Sequence, residues 1–397
     1  MNSVLDIFIE LAKIPSQSLK EDMVADKIIE ILNSLGIECG KDNYGNVWGK
    51  IPANKEEKPI LLSAHMDVVG DMSPVNIQIN GDIIETDKKR TLGADNKAGV
   101  ASIIWAMKKI KEENIQTGGV EVLFTRDEEV GMSGIKHAEF EKFKAKYVLV
   151  PDSDALGNIE YAGADYTIMQ VDVKTFKGGH SGNDIWDKTR VNAANLISEV
   201  IYKLPSGLQK KDKSGTITSL NLGVVVAGGV KWEENIPKQD NFAKYLVQNG
   251  VNNIINTDAF AIYSIRSSSS TESEKLKKKI EKIIDKINKK YKNLANVEVT
   301  YKKHLPMFEK AKDNTMVHTL ETAGKNIALQ TRTKSFHAGA ETHIWANKKN
   351  AQGETFAPIL MGCADISSMH SSDESMSISS LKKGSEWLFE AIKVFNS

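Results

Sequence analysis

The chain of 397 residues is 41% hydrophobic and 26% charged, the composition of a folded globular protein long enough for more than one domain. Its 52 basic residues balance 52 acidic ones, so no net field draws it to nucleic acid or to an anionic membrane. Two cysteines, Cys39 and Cys363, cannot build a disulfide framework and suit a reducing cytoplasm.

The N-terminal stretch MNSVLDIFIELAKIPSQS has apolar residues at helical spacing interrupted by Asp6 and Glu10, unlike the basic start and unbroken apolar core of a signal peptide. An amphipathic segment from about Val4 to Leu35 leads into GNVWGKI and then PILLSAHMDV, both strand-like. The helix-like AGVASIIWAMKKIKEE precedes GGVEVLFTRDEE, and AKYVLVPDSD follows GIKHAEFEKF. Short apolar strands alternating with helices predict an α/β unit whose mostly parallel sheet is covered on both faces.

From about Asp165 the texture changes. YTIMQVDVKTFKG alternates like a half-exposed strand, RVNAANLISEVIYKL reads as a helix, and SLNLGVVVAGG and AFAIYSIRS read as strands before TESEKLKKKIEKIIDKINKKY. In that long helix Leu276, Ile280, Ile283, Ile284 and Ile287 share a face. Its lysines and glutamates therefore form a solvated face, and interleaved aromatics for stacking on bases are missing. After about Met307, NTMVHTLETAGKNIAL, APILMGCAD and SISSLKKGSEWLFEAIKVF resume the first alternation. The expected organisation is one larger domain in two pieces, 1–164 and 308–397, around an inserted α+β domain, 165–307. No run of about 18 apolar residues predicts a membrane span.

Ligands of α/β sheets bind beyond the carboxyl ends of the strands, and here acids and histidines recur at those ends. LLSAHMDVVG finishes an apolar strand with His65 and Asp67; VEVLF runs into Asp127, Glu128 and Glu129; YVLV runs into Asp152 and Asp154; APILMGCADISSM runs into His370. Asp95 lies in the Gly-containing turn TLGADNKAG, just before a helix. Singly, each has an ordinary structural explanation: a hydrogen-bonded histidine, an N-cap aspartate, a solvated corner. Together, so many carboxylates would repel and take up protons unless a cation held them.

Counted against zinc, the donors divide into His65, Asp95 and Asp152 for one ion and Glu129, His370 and Asp95 for the other, with Asp95 bridging and a shared water completing both. Asp154 is the alternative to Asp152, which the spacing from Glu129 favours. Asp67, on the same side of an extended strand as His65, is left to hold the imidazole's second nitrogen. Glu128, pointing elsewhere than the ligand Glu129, is left to take a proton from the water.

In that order along the chain, SAHMDVV, TLGADNKAGVAS, FTRDEEVGMSG, PDSD, FKGGHSG and HSSDES resemble the di-zinc exopeptidases of the peptidase T, aminoacyl-histidine dipeptidase and carboxypeptidase G group. TLGADN, GGHSG, SLNLGVV, FHAGAE and MHSSDE look most like the aminoacyl-histidine dipeptidase branch, whereas length and TRDEEVG look closer to peptidase T. The resemblance implies an α/β zinc-exopeptidase catalytic domain with an inserted lid or dimerisation domain. It implies the same ligands and base, and a cis peptide at Asp95-Asn96.

The resemblance further implies that His180, in GGHSG, assists at the scissile carbonyl, often across the interface of a homodimer. Arg266, in YSIRSS, would receive the substrate's carboxylate, with Asn235, in ENIP, as a further substrate-binding residue. His337 and Glu341, in FHAGAET, would line the cleft. The expected activity is cleavage of di- or tripeptides from the N-terminus in the cytoplasm, by water activated at two zinc ions that cobalt or manganese could replace. An N-acyl-amino-acid deacylase or carboxypeptidase would keep the chemistry and change the substrate. A non-catalytic relative would have lost the base or a ligand, and neither is lost here.

Two features depart from the family: PDSD lacks the glycine that often follows the ligand, and HAGAETHIWA lacks one after its acidic residue. Neither a G-x-S-x-G elbow nor an H-E-x-x-H helix occurs, so serine-hydrolase and helix-borne zinc chemistry are unsupported.

Overall fold

The computed structural model describes residues 3–213, 215–228, 252–311 and 313–397. The chain forms two compact units, Met1–Gly163 with Phe308–Ser397, and Ala164–Met307. Among the described residues no helix is long and apolar enough to cross a membrane.

The first unit is built on an eight-stranded sheet in the order Glu38–Lys41, Val47–Ile51, Val120–Thr125, Ile60–His65, Tyr147–Pro151, Ala357–Met361, Asn158–Gly163, Arg332–Phe336. Its centre is parallel: Ile60–His65 lies between Val120–Thr125 and Tyr147–Pro151, and Ala357–Met361 continues the set. The flanks turn antiparallel, at Val47–Ile51 on one side and at Asn158–Gly163 against Ala357–Met361 on the other. All six residues of Ile60–His65 are buried, which is why the strand reads as a continuous apolar run with no alternation.

The amphipathic opening resolves into two helices, Val4–Ala12 and Asp22–Ser34. Ser3 and Asp6 form a reciprocal capping box at the first, and the helix ends ahead of Pro15, whose ring disfavours helical backbone before it. The non-helical segment between them carries Ser16, Ser18 and Glu21, all buried. Helix Ala94–Glu112 is buried along most of its length. A Cβ at Gly99 would stand 2.3 Å from both the Asn96 Oδ1 and the Pro151 carbonyl, so only glycine lets this helix approach the strand so closely.

The second unit carries a five-stranded antiparallel sheet in the order Gly207–Lys211, Ile217–Ala227, Asp258–Ser267, Tyr166–Thr175, Ala295–Leu305. Burial alternates along Tyr166–Thr175 and Asp258–Ser267. Their buried residues pack with helices Ala193–Lys203 and Ser270–Lys290 into a separate core. In the Lys-rich helix Leu276, Ile280, Ile284 and Ile287 are buried and Ile283 is partly so. Each buried side chain contributes roughly 1.5–3 kcal/mol, while the lysines face outward. A short ribbon pairs Gly179–His180 with Ile254–Ile255.

Candidate metal centre

Strand Ile60–His65 delivers His65 to the carboxyl edge of the sheet. Its Nε2 lies 3.1 Å from Asp95 Oδ1 and 3.4 Å from Asp152 Oδ1. Asp152 follows strand Tyr147–Pro151, and its N–H donates to the Met361 carbonyl at 3.1 Å, which ties it to the neighbouring strand. Asp95 sits in non-helical backbone at the head of Ala94–Glu112, with a cis peptide to Asn96. Its other oxygen, Oδ2, lies 3.1 Å from His370 Nε2, which is 3.2 Å from Glu129 Oε2. His370 has a left-handed backbone, φ 63°, an uncommon state for a residue with a Cβ and one that clusters at functional sites.

The donors thus fall into overlapping groups, His65–Asp95–Asp152 and Asp95–Glu129–His370, which share Asp95; the ligand atoms within each lie within 4.8 Å of one another. Asp154 is exposed and belongs to neither group. His65, Glu128 and Glu129 form a third such group. Glu128 therefore does not point away from Glu129. The N–H groups of Glu128 and Glu129 donate to the two oxygens of one carboxylate, Asp67, at 3.0 and 3.1 Å.

Asp67 is fully buried and meets the second nitrogen of His65 through its backbone carbonyl as well as its carboxylate. The nearer partner of His65 Nδ1 is the Asp67 backbone carbonyl at 3.0 Å, with the carboxylate at 3.4 Å. Donation from Nδ1 to that carbonyl leaves the lone pair of Nε2 facing Asp95 and Asp152, the tautomer a metal ligand needs. The carboxylate itself also receives the Ser18 hydroxyl at 2.7 Å.

The centre is also supported by residues with no spacing signal of their own, and by Glu374 and Glu341, which lie inside the segments HSSDES and FHAGAET. The N–H groups of Arg126 and Asp127 donate to Asn46 Oδ1 and Glu21 Oε1 at 3.1 Å each, so four successive amides, 126–129, are held by side chains from distant segments. Glu374 accepts from the Gly93 and Asp95 amides at 2.7 and 3.1 Å and from the Thr91 hydroxyl, fixing the turn that presents Asp95. Glu341, fully buried ahead of helix Thr342–Trp345, has Oε2 3.5 Å from the Ser63 hydroxyl and Oε1 without a hydrogen-bond partner.

Burial opposes a charged imidazole at His65, but the Asp152, Asp67 and Asp95 carboxylates outweigh it and raise the ring's pKa well above its usual value. The hydrogen bond to Asp95, with Glu129 adding, pushes His370 up to about 9. At Asp95 burial favours the protonated acid, yet hydrogen bonds to His370 and His65 hold it well below the carboxylate range. Burial is the main cause at the remaining acids, over the opposing pull of His65. It raises Glu128 far above its usual value, Glu129 to about 7 and Asp152 to about 6, with neighbouring carboxylates adding to each.

Acids that resist ionising together beside imidazoles that hold extra protons are a site where a cation would displace protons and relieve both. Glu129 Oε1 is buried without a hydrogen-bond partner, an orphan that a metal would satisfy. The residues present fit a pair of divalent ions.

The remaining candidates are not among these donor groups. His337 is half-buried in the loop after strand Arg332–Phe336, in the first unit. His180 and Arg266 belong to the second unit. The Nδ1 of His180 accepts from the Gly182 and Asn183 amides at 3.1 and 3.3 Å, which assigns the proton of the neutral ring to Nε2. Asn235 lies outside the described residues.

This donor set stands on a fold whose sequence pattern, over residues 61–394, matches Peptidase family M20/M25/M40, and the chain belongs to that family. Its fold is similar to that of the aminopeptidase PepT from Bacillus cereus ATCC 10987, with a TM-score of 0.83 at 22% identity over 99% of this chain and 98% of that one. In sequence it is 30% identical over 224 residues to the uncharacterized protein YqjE of Bacillus subtilis (strain 168), covering 54% of this chain and 59% of that protein. It is 29% identical over 211 residues to the cytosol non-specific dipeptidase of Escherichia coli (strain K12), covering 45% and 43%. The matches thus span about half the length of these two relatives.

Proposed function

We propose that the protein is a metal-dependent exopeptidase that removes residues from the N-terminus of di- or tripeptides. The observation that carries this reading is the pair of donor groups sharing Asp95, with Glu128 beside them, on the fold of a peptidase family. The similarity to an aminopeptidase and a dipeptidase supports the choice of substrate.

His65, Asp95 and Asp152 would hold one ion, and Asp95, Glu129 and His370 the second, with zinc suited to such nitrogen and oxygen donors. When bound, two such cations supply Lewis acidity toward a carbonyl and lower the pKa of water. Glu128 acts as the base: it takes the proton of the attacking water and passes it to the departing amine. Asp67 fixes both the His65 tautomer and the backbone amides of Glu128 and Glu129, the segment that carries base and ligand. His180 donates from Nε2 to the carbonyl oxygen as negative charge develops there. Arg266 receives the terminal carboxylate, with Asn235 and His337 as further substrate contacts. The second unit serves as lid and dimerisation domain, the assembly is a homodimer, and its place is the cytoplasm.

The test is to treat purified protein with a chelator, restore it with zinc, cobalt or manganese, and compare free tripeptides with their N-acetylated and C-terminally amidated forms. Chelation should abolish hydrolysis and zinc should restore it. N-acetylation should reduce the rate at least tenfold. Preference for N-acyl substrates, or release of the C-terminal residue from blocked peptides, would replace this reading with a deacylase or a carboxypeptidase.

A further inference from the structure

In the second unit the side chains of three adjacent strands meet in a row. Arg266, near the end of Asp258–Ser267, has its guanidinium carbon 4.7 Å from the centroid of the Tyr166 ring. On the far side of Tyr166, the His304 ring lies at 5.6 Å between centroids. His304 reaches this place through a bulge: Lys303 pairs with Thr167 and Leu305 with Tyr166, which leaves His304 as the extra residue.

The backbone beside the row is clamped. The Asp165 N–H donates to the Ser267 carbonyl at 2.8 Å, and the Ser267 N–H donates to Asp165 Oδ1 at 2.9 Å. The Ser267 hydroxyl bonds that of Thr218 at 2.8 Å, so both strands are fixed next to the arginine and the tyrosine. Asp165 and Ser267 are both buried.

We infer that Tyr166 is a positioning residue that holds the Arg266 guanidinium ready for the substrate's terminal carboxylate; this rests on the reading of Arg266 given above. An arginine left to itself loses rotamer freedom when it grasps an anion. A ring under the guanidinium removes part of that loss beforehand, while the planar N–H edges remain able to fork onto a carboxylate. The aromatic ring supplies the holding and the phenol hydroxyl does not. The face of Tyr166 should therefore matter and its oxygen should not.

The experiment measures kcat and KM of the metal-loaded enzyme on a tripeptide and on the same tripeptide with a C-terminal amide. Tyr166→Leu should raise KM for the free acid by about two- to fivefold, the range of a surface cation–π contact, and leave kcat unchanged. KM for the amide should not move. Tyr166→Phe and Tyr166→Trp should both behave as wild type on the free acid, which also tests the idea if the leucine variant fails to fold. An unchanged KM in Tyr166→Leu, an equal rise for acid and amide, or loss in the phenylalanine variant would overturn the inference. Arg266→Gln separates the two readings. If it leaves the preference for acid over amide intact, the role of Arg266 falls; if it abolishes that preference while Tyr166→Leu changes nothing, only the positioning role falls.

Discussion

Glu128 and Glu129 are neighbours whose amides share one carboxylate, yet the proposed chemistry asks different things of them. Glu129 lies in a donor group with Asp95 and His370, whereas Glu128 shares one with His65 and Glu129 but not with Asp95 or His370. Glu128→Gln should therefore lower kcat by at least a hundredfold while the protein still binds two equivalents of metal, and Glu129→Gln should lose metal as well. Elemental analysis beside kinetics decides it, and equal metal loss in both variants would refute the division. Glu341 offers a different residue-scale test. Burial raises its carboxyl from the ordinary 4.5 to about 8, so between those values the folded chain holds a proton that the unfolded chain has released. Stability from this group is accordingly full below about 4.5 and declines as pH rises toward about 8, by on the order of 5 kcal/mol in all. In protein stripped of metal, Glu341→Gln should flatten that decline. Thermal melts from pH 5 to 8 that fall as steeply in the variant would remove Glu341 as its cause.

The elements that present the donors are fixed from outside themselves. The amides of 126–129 are held by Asn46, Glu21 and Asp67, and the turn before Asp95 by Glu374. Glu374→Ala should leave the fold intact but weaken metal binding about 10- to 100-fold, the usual cost of losing a group that orients a ligand. Titration with a competing chelator would measure this; unchanged affinity would show that the turn holds itself. These supports also mark where sequence reading stops. His65, Asp95, Glu129, Asp152 and His370 were legible because each follows an apolar strand or opens a helix, and strand ends are where α/β sheets bind ligands. Glu374 bonds the amide of Asp95 across 279 positions, and Asn46 reaches the amide of Arg126 across 80, with no local pattern to announce either. The choice between Asp152 and Asp154 needed three dimensions too, since both follow the same strand and only one lies among the donors. The parallel centre of the sheet was legible from its apolar strands. Its antiparallel flanks were not, because an edge strand such as Glu38–Lys41 has no buried residue to pattern.

At the scale of the whole molecule, the chain folds as two units with separate cores, and the proposed catalytic residues are divided between them. Glu128 and the metal donors belong to one unit and His180 to the other, an exposed residue whose ring presents Nε2–H as donor. In a homodimer, His180 can act on substrate bound by its own chain or by the partner chain. Complementation distinguishes these routes. His180→Ala should reduce kcat by about a hundredfold without loss of metal, the effect of removing one donor to a developing oxyanion. Glu128→Gln subunits are inactive for a separate reason. If His180 acts in trans, a mixed dimer of the two variants holds one site with both groups intact, and roughly a quarter of wild-type activity should return after equal mixing and subunit exchange, since about half the dimers are mixed and each has one working site of two. Activity that stays at the level of the separate variants, with heterodimers shown to form, would assign His180 to the site of its own chain. A protein that remains monomeric at assay concentration while fully active would exclude the trans route altogether.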